Sequence, residues 1–301
     1  MSNKKLALDL GNSSFKIVGG DKDNLIYKRI RSLAAESSQD TNYVVDLNGE
    51  SIYFGVGTPL VEHDKTERKY LAHTLLLAAY EIYGPGEHNI ELGLTLPINL
   101  YKLMGEHFKA KVESFKELQG MVNGSNVYIK LKKVIVESEG LAAFYALMPE
   151  IPKGPILFMD LGHRTTDIVA INVNTDTGKW KIEGSYTLQQ GGYEFLTDLQ
   201  NPLFLAEHTF FSVQQIEQLL AAGGKVGKTQ IQSLYEVVLS ERVNNMVKEV
   251  NQVFNDMMHR KIYLVGGASE MFAACYKEDN LEVVKDKKMI FSNPVGSYLK
   301  L

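Results

Sequence analysis

Two short segments carry residue types suited to handling phosphate. The first is Asp9-Leu10-Gly11-Asn12-Ser13-Ser14-Phe15-Lys16. The second is Asp160-Leu161-Gly162-His163-Arg164-Thr165-Thr166-Asp167. In each, an apolar run delivers an Asp to a turn rich in small or hydroxyl residues, and a second apolar run follows. Such a turn offers backbone N–H groups and hydroxyls to phosphate oxygens. The Asp cannot meet phosphate directly, but it can hold Mg²⁺ through water, because that ion dehydrates reluctantly. Lys16 adds a cation beside the first turn. Asp9 and Asp160 are therefore the candidate metal-holding carboxylates. Gly11, Asn12, Ser13, Ser14, Lys16, Gly162 and Thr165 are the candidate phosphate contacts.

A third acidic segment lies between the two. The apolar residues Val134, Ile135 and Val136 lead into Glu137-Ser138-Glu139-Gly140, and a helical pattern follows with Ser138 as a possible N-cap. A carboxylate there can orient or deprotonate a water attacking a phosphate; it can also simply stabilise a helix N-terminus. Glu137 and Glu139 compete for the catalytic role. Gly266-Gly267-Ala268 follows the buried-looking strand Tyr263-Leu264-Val265 and opens a helix, where glycine lets a flat ligand such as adenosine approach the backbone. Gly191 and Gly192, before another helix, carry the same argument. The segment Ala222-Gly223-Gly224-Lys225-Val226-Gly227-Lys228-Thr229 imitates a Walker A loop, but it lacks the first glycine and follows a helical pattern. It reads as a polar turn. The seven His are scattered, with no metal-ligand spacing.

The elements that must position these residues follow from hydrophobic periodicity. A hairpin is expected at 6–10 and 15–18, a helix at 70–83, a strand at 91–96 and a helix from Pro97 to about 115. Strand character over 127–136 precedes a short helix at 141–147 and a linker at 151–155. A second hairpin is expected at 156–160 and 167–172, then a strand at 180–188. Helices are expected at 193–199, 212–222 and 230–255, a strand at 261–265, a helix at 269–276 and a last helix after Asn293. The apolar stripe at 75–79 reads as core. Mixed strands and helices imply an α/β protein. The two phosphate segments align without gaps, half a chain apart in 301 residues, which implies two related domains.

Composition narrows the class. With 32 Lys+Arg against 36 Asp+Glu the net charge is −4, so no overall positive field draws the chain to nucleic acid or anionic lipid. The short basic runs Lys130-Leu131-Lys132-Lys133 and Lys285-Asp286-Lys287-Lys288 read as solvated edges. The single Cys excludes an internal disulfide framework and suits a reducing cytosol. The apolar run after Met1 is too short for a signal peptide, and no stretch is long enough to span a bilayer. A cytoplasmic location is expected.

In this order, the hairpins, the Glu-bearing helix and the glycine pairs resemble the actin, heat-shock-chaperone and sugar-kinase ATPase superfamily. Within it, the match is to the bacterial actin-like plasmid-partition group, ParM/StbA-like. Leu94-Thr95-Leu96-Pro97-Ile98-Asn99-Leu100-Tyr101 and the ending Phe291-Ser292-Asn293-Pro294-Val295-Gly296-Ser297-Tyr298 add to the likeness. The resemblance aligns Glu137 with the catalytic-site Glu, and Tyr145 with a Tyr of the chaperone ATPases. It departs at His163 and Arg164, where the family has small residues, and at Ala268, where a third glycine is common. It implies an actin-like fold of two mixed-sheet domains, each around five strands, with nucleotide in the cleft between them. Domain one would span 1–154 plus 286–301, and domain two 155–285. ATP or ADP with Mg²⁺ would be the cofactor, with Asp9 and Asp160 organising the metal and Glu137 aligning water. Gly191, Gly192, Gly266, Gly267 and Ala268 would contact the nucleoside. The implied activity is ATP-driven polymerisation into filaments that segregate plasmid DNA through an adaptor protein. A small-molecule kinase on the same fold, or an assembly module that binds nucleotide without turnover, remains open, as does ATP against GTP.

Overall fold

The computed structural model describes residues 2–60, 65–227, 229–285 and 287–301. Lys228 of the Walker-like segment and Asp286 of the second basic run lie outside them. The chain divides into two compact units, one of Met1–Ile151 with Asp286–Leu301 and the other of Pro152–Lys285.

The first unit runs β1 (Lys4–Leu10), β2 (Ser14–Asp21), β3 (Asn24–Arg31), β4 (Leu33–Ala35), β5 (Tyr43–Leu47), β6 (Glu50–Phe54) and β7 (Thr58–Pro59). A 3-10 turn (Lys65–Glu67) leads to α1 (Leu71–Tyr83), β8 (Gly86–Leu96), α2 (Ile98–Glu113), β9 (Glu117–Val122), β10 (Ser125–Ser138) and α3 (Leu141–Leu147). The second unit holds β11 (Gly154–Leu161), β12 (Thr166–Val173), β13 (Trp180–Leu188), α4 (Gly192–Thr197), α5 (Gln200–Glu207) and α6 (Val213–Ala221). It continues with β14 (Lys225–Val226), β15 (Thr229–Gln230), α7 (Ile231–Val253), β16 (Lys261–Val265), α8 (Ser269–Cys275) and β17 (Leu281–Val283). The chain then returns to the first unit as α9 (Lys287–Lys300).

The repeat read from the sequence is visible in the sheets. In the first unit β3, β2 and β1 are antiparallel neighbours, and β1, β8 and β10 are parallel. In the second unit β13, β12 and β11 are antiparallel, and β11, β16 and β17 are parallel. Strand order and sense therefore coincide over five strands. The first unit departs from the five-stranded expectation, because its sheet continues through β9, β5, β6, β4 and β7 to ten strands. The long β10 makes this possible: its residues 125–130 also pair with β9, which extends the sheet beyond the shared pattern. The added strands are short, and the polar residues among them blurred their alternation.

Both faces of β1 are covered. Leu6, Leu8 and Leu10 enter one core with Leu75, Leu76 and Ala79 of α1, while Ala7 joins Val18, Phe291 and Tyr298. Two-sided burial explains why the strand reads as a nearly continuous apolar run. The stripe at 75–79 is fully core. In α7, Tyr235, Leu239, Val243, Met246 and Val250 recur at helical spacing and all are buried, so one stripe holds the helix to the second core. Ser212 caps α6 with a reciprocal Gln215 contact. The last helix begins at Lys287, ahead of the expected start after Asn293, and it runs through Pro294. The turn chemistry of proline misled the boundary; packing against α3 and β1 carries the helix across it.

Leu264 in β16 is fully buried among both sheet and helix side chains. Leu264→Ala leaves a cavity there and is expected to destabilise the second unit by about 2–5 kcal/mol, read from urea denaturation.

Candidate functional site

The first hairpin ends its strands at a buried carboxylate. Asp9 is 2% exposed, and the antiparallel register sets Lys16 directly opposite it. Lys16 Nζ lies 2.5 Å from Asp9 Oδ2, and Lys65 Nζ lies 3.5 Å from Asp9 Oδ1. Burial alone would push this carboxyl upward. The two ammonium groups outweigh it and hold Asp9 at about 2, so it stays ionised. The turn itself is braced from beneath. Arg68, 3% exposed, donates to Leu10 O at 2.6 Å, to Asn12 Oδ1 at 3.1 Å and also to Leu60 O. Ser32 Oγ donates to Gly11 O at 2.5 Å, and Ser32 N to Ser13 O at 3.1 Å. Arg29 Nε reaches Ser14 Oγ at 2.9 Å. Asn12 and Ser13 keep solvent-accessible surface.

The two glutamates stand in different surroundings. Glu139 is 6% exposed, and its Oε1 accepts from Lys65 Nζ at 2.6 Å. One ammonium thus joins Glu139 to Asp9. Glu137 is half-buried on β10, where burial raises its carboxyl and the charge it feels is that of Lys300 on α9. The structure brings Asp9, Lys16, Lys65 and Glu139 together; it puts Glu137 in the surroundings of Lys300 and Tyr101. The backbone explains the divergence. The strand ends at Ser138, Glu139 N donates to Leu96 O at 2.8 Å, and the chain turns at Gly140 into α3. Lys65 and Arg68 escaped the sequence reading because a run of alternating charge looks like a solvated face.

In the second unit three segments meet around the second hairpin. Gly162 N donates to Thr165 O at 2.9 Å and closes the loop. Gly192 N donates to Gly162 O at 3.0 Å, Tyr193 N to His163 O at 2.8 Å, and Ala268 N to Leu161 O at 3.0 Å. The loop after β11, the glycine pair before α4 and the glycine pair after β16 are therefore one hydrogen-bonded assembly. Glycine is required at two of these points. A Cβ on Gly191 would stand 2.7 Å from His163 O. At Gly266, with φ +92°, it would stand 2.4 Å from Asp160 Oδ1 and Leu161 O. Gly267 is exposed with open space around it. Asp160 is 6% exposed, and Asp167, opposite it in register, accepts from Thr187 Oγ1 at 2.6 Å. His163 and Arg164, the bulky departures in this loop, pack on the next segment. The Arg164 guanidinium lies 3.8 Å from the Tyr193 ring centre and 3.9 Å from Glu194 Oε1, and His163 meets the same ring edge-on.

No group of three or more His, Cys, Asp or Glu stands ready for a metal among the described residues. Asp9 and Asp160 nevertheless suit a hard divalent cation held through its water: each is a buried carboxylate at a strand end beside a polar loop, and Asp9 is firmly ionised. No helix among the described residues is long and apolar enough to cross a membrane.

Residues 7–141 match the family model of the N-terminal domain of actin-like proteins. By sequence, none of the curated proteins matches the chain. By structure, the chain is similar to an archaeal actin homolog, Ta0583, solved in complex with ADP, at 19% identity, 98% of this chain, 97% of that chain and a TM-score of 0.78. It is similar to the ParM of a 15-stranded filament from Clostridium botulinum, at 15% identity, 100% and 99% coverage and a TM-score of 0.76. It is also similar to Bacillus thuringiensis ParM with ATP, at 14% identity, 100% and 98% coverage and a TM-score of 0.69. The fold is the actin-like fold, and the resemblance read from the sequence stands.

Two outcomes follow. Because the folded Asp9 titrates below its ordinary value of 3.8, its contribution of about 2 kcal/mol is present above pH 4 and vanishes as pH falls toward 2. Asp9→Asn is expected to flatten that part of the acid-denaturation curve. Gly266→Ala drives a methyl into Asp160 and Leu161 at a left-handed backbone position, and is expected to destabilise the second unit by about 1–3 kcal/mol in a denaturant titration.

Proposed function

We propose that this actin-like chain binds ATP with Mg²⁺, hydrolyses it, and polymerises with the nucleotide bound. The contacts that carry the reading are those of Lys65 with Asp9 and Glu139, beside a braced hydroxyl-bearing turn. That set offers cations for phosphate, an ionised carboxylate for the metal's water, and a second carboxylate for an attacking water. The divalent ion, when bound, supplies charge neutralisation on the phosphate oxygens.

The work of the chain is then positioning and electrostatics. Asp9 and Asp160 orient the ion's water shell. Lys16 and the turn of Gly11, Asn12, Ser13 and Ser14 hold phosphate oxygens, and Gly162 and Thr165 do so on the second loop. Gly191, Gly192, Gly266, Gly267 and Ala268 accept the nucleoside, with open space at Gly267 supporting close approach. Glu139, rather than Glu137, orients the water and takes its proton, because Glu139 is the carboxylate linked through Lys65 to Asp9. Two solved relatives, described with ADP and with ATP, support the choice of ligand, and the one described as a filament supports self-assembly. Plasmid segregation through a DNA-binding adaptor, in the cytoplasm, is the cellular role we attach to this reading. The net charge of −4 supports an adaptor over direct DNA contact.

Phosphate release under Mg-ATP measures the chemistry. Glu139→Ala is expected to slow it by about 10²-fold or more, while Glu137→Ala leaves it within about twofold of the parent. The reverse ranking would return the role to Glu137. Light scattering should rise on adding Mg-ATP above a critical concentration; a chain that stays monomeric while releasing phosphate would point to a solitary ATPase.

A further inference from the structure

Lys65 is 7% exposed, and its ammonium reaches two buried carboxylates, Glu139 at 2.6 Å and, more loosely, Asp9 Oδ1 at 3.5 Å, while Lys16 holds the other oxygen of Asp9 at 2.5 Å. They come from different places in the chain, one at the end of β1 and one just past β10. Two buried carboxylates near each other repel, and each loses hydration, so a cation between them is an electrostatic requirement. A lysine supplies that cation on a flexible stem whose head can be withdrawn. Its turn does not depend on the ammonium for its place. Arg68 ties the following residues to Leu10, Asn12 and Leu60, and Lys111 Nζ donates to Thr66 O at 2.8 Å and to Glu67 at 3.0 Å. The ammonium can therefore leave while the turn stays docked.

We propose that Lys65 is a tethered counter-cation, a positioning residue that holds Asp9 and Glu139 in place until a hydrated divalent cation takes over its bond to Asp9. The ammonium then keeps Glu139 alone. In the nucleotide-free protein Lys65 and the divalent ion compete for Oδ1 of Asp9, while Lys16 keeps Oδ2. This rests on the reading of Asp9 as the metal-holding carboxylate.

The test is thermal unfolding without nucleotide, in EDTA and in about 10 mM MgCl₂ at matched ionic strength. The parent is expected to shift by less than about 1 °C on adding Mg²⁺. Lys65→Met is expected to melt lower in EDTA and to regain about 4 °C or more with Mg²⁺. Adding Asp9→Asn to Lys65→Met should abolish that recovery. No recovery in Lys65→Met, an equal shift in the parent, or recovery that survives Asp9→Asn would each overturn the proposal. Lys65→Arg is the second variant and keeps the charge and the fold. Its fixed, less readily displaced cation is expected to weaken Mg-ADP binding by about tenfold in calorimetry, with ADP binding in EDTA unchanged. Parent-like Mg-ADP affinity in Lys65→Arg would also overturn it. A parent chain that releases no phosphate, with Mg²⁺ recovery intact in Lys65→Met, removes the ATPase reading and leaves the counter-cation standing.

Discussion

A charged carboxylate at the inner end of a strand has to be answered from several directions at once. Asp9 is held in a sheet whose two faces are both covered, so water cannot supply its counter-charge. Antiparallel register supplies Lys16 from the neighbouring strand, and the turn before α1 supplies Lys65. Breaking a buried pair of this kind by removing one member costs about 3–5 kcal/mol. That penalty makes the geometry of β1, β2, the 65–67 turn and the start of α3 one problem with a common solution. Glu139 enters through the same ammonium, so the placing of one buried carboxylate is tied to the placing of the other.

The second hairpin solves the same backbone problem with different charges. Asp160 has Asp167 opposite it where Asp9 has Lys16. Hydroxyl donors serve Asp167: Thr187 Oγ1 at 2.6 Å and Thr165 Oγ1 at 3.4 Å. What the two halves share is therefore strand order, sense and the position of one Asp; the electrostatics were free to diverge. The bulk at His163 and Arg164 is absorbed sideways onto Tyr193, which leaves the Gly162–Thr165 closure intact.

These differences mark what a sequence can and cannot disclose. The hairpins were readable because two-sided burial writes long apolar runs around a polar turn, and α7 because its stripe recurs over 23 residues. The repeat was readable because identical residues stand at matching positions in both halves. Strands β3 to β7 were not: β3 is half-exposed along most of its eight residues, and β4 to β7, of five residues or fewer, carry little period-two signal. Lys65 and Arg68 were not, since nothing in a charged run announces which members are drawn inward. Glu137 and Glu139 could not be separated by pattern: two residues apart, they differ through a strand ending at Ser138 and through Lys300 arriving from the far end of the chain. Long-range partners decide such cases, and local spacing does not contain them.

Arg68 shows how far this indirect control extends. A guanidinium has donors only, so the atom of Asn12 facing it must be the carbonyl oxygen. With Oδ1 engaged at 3.1 Å, the amide nitrogen is the group Asn12 has left to offer, and it is a donor. Reversing that amide would turn an acceptor toward an incoming anion and set the nitrogen against a cation. Arg68 also donates to Leu10 O, the carbonyl just ahead of the turn, so the same side chain draws acceptors inward on both sides of Gly11. A loop meant for phosphate needs its donors outward and its carbonyls occupied. In this chain a buried cation behind the loop enforces that polarity.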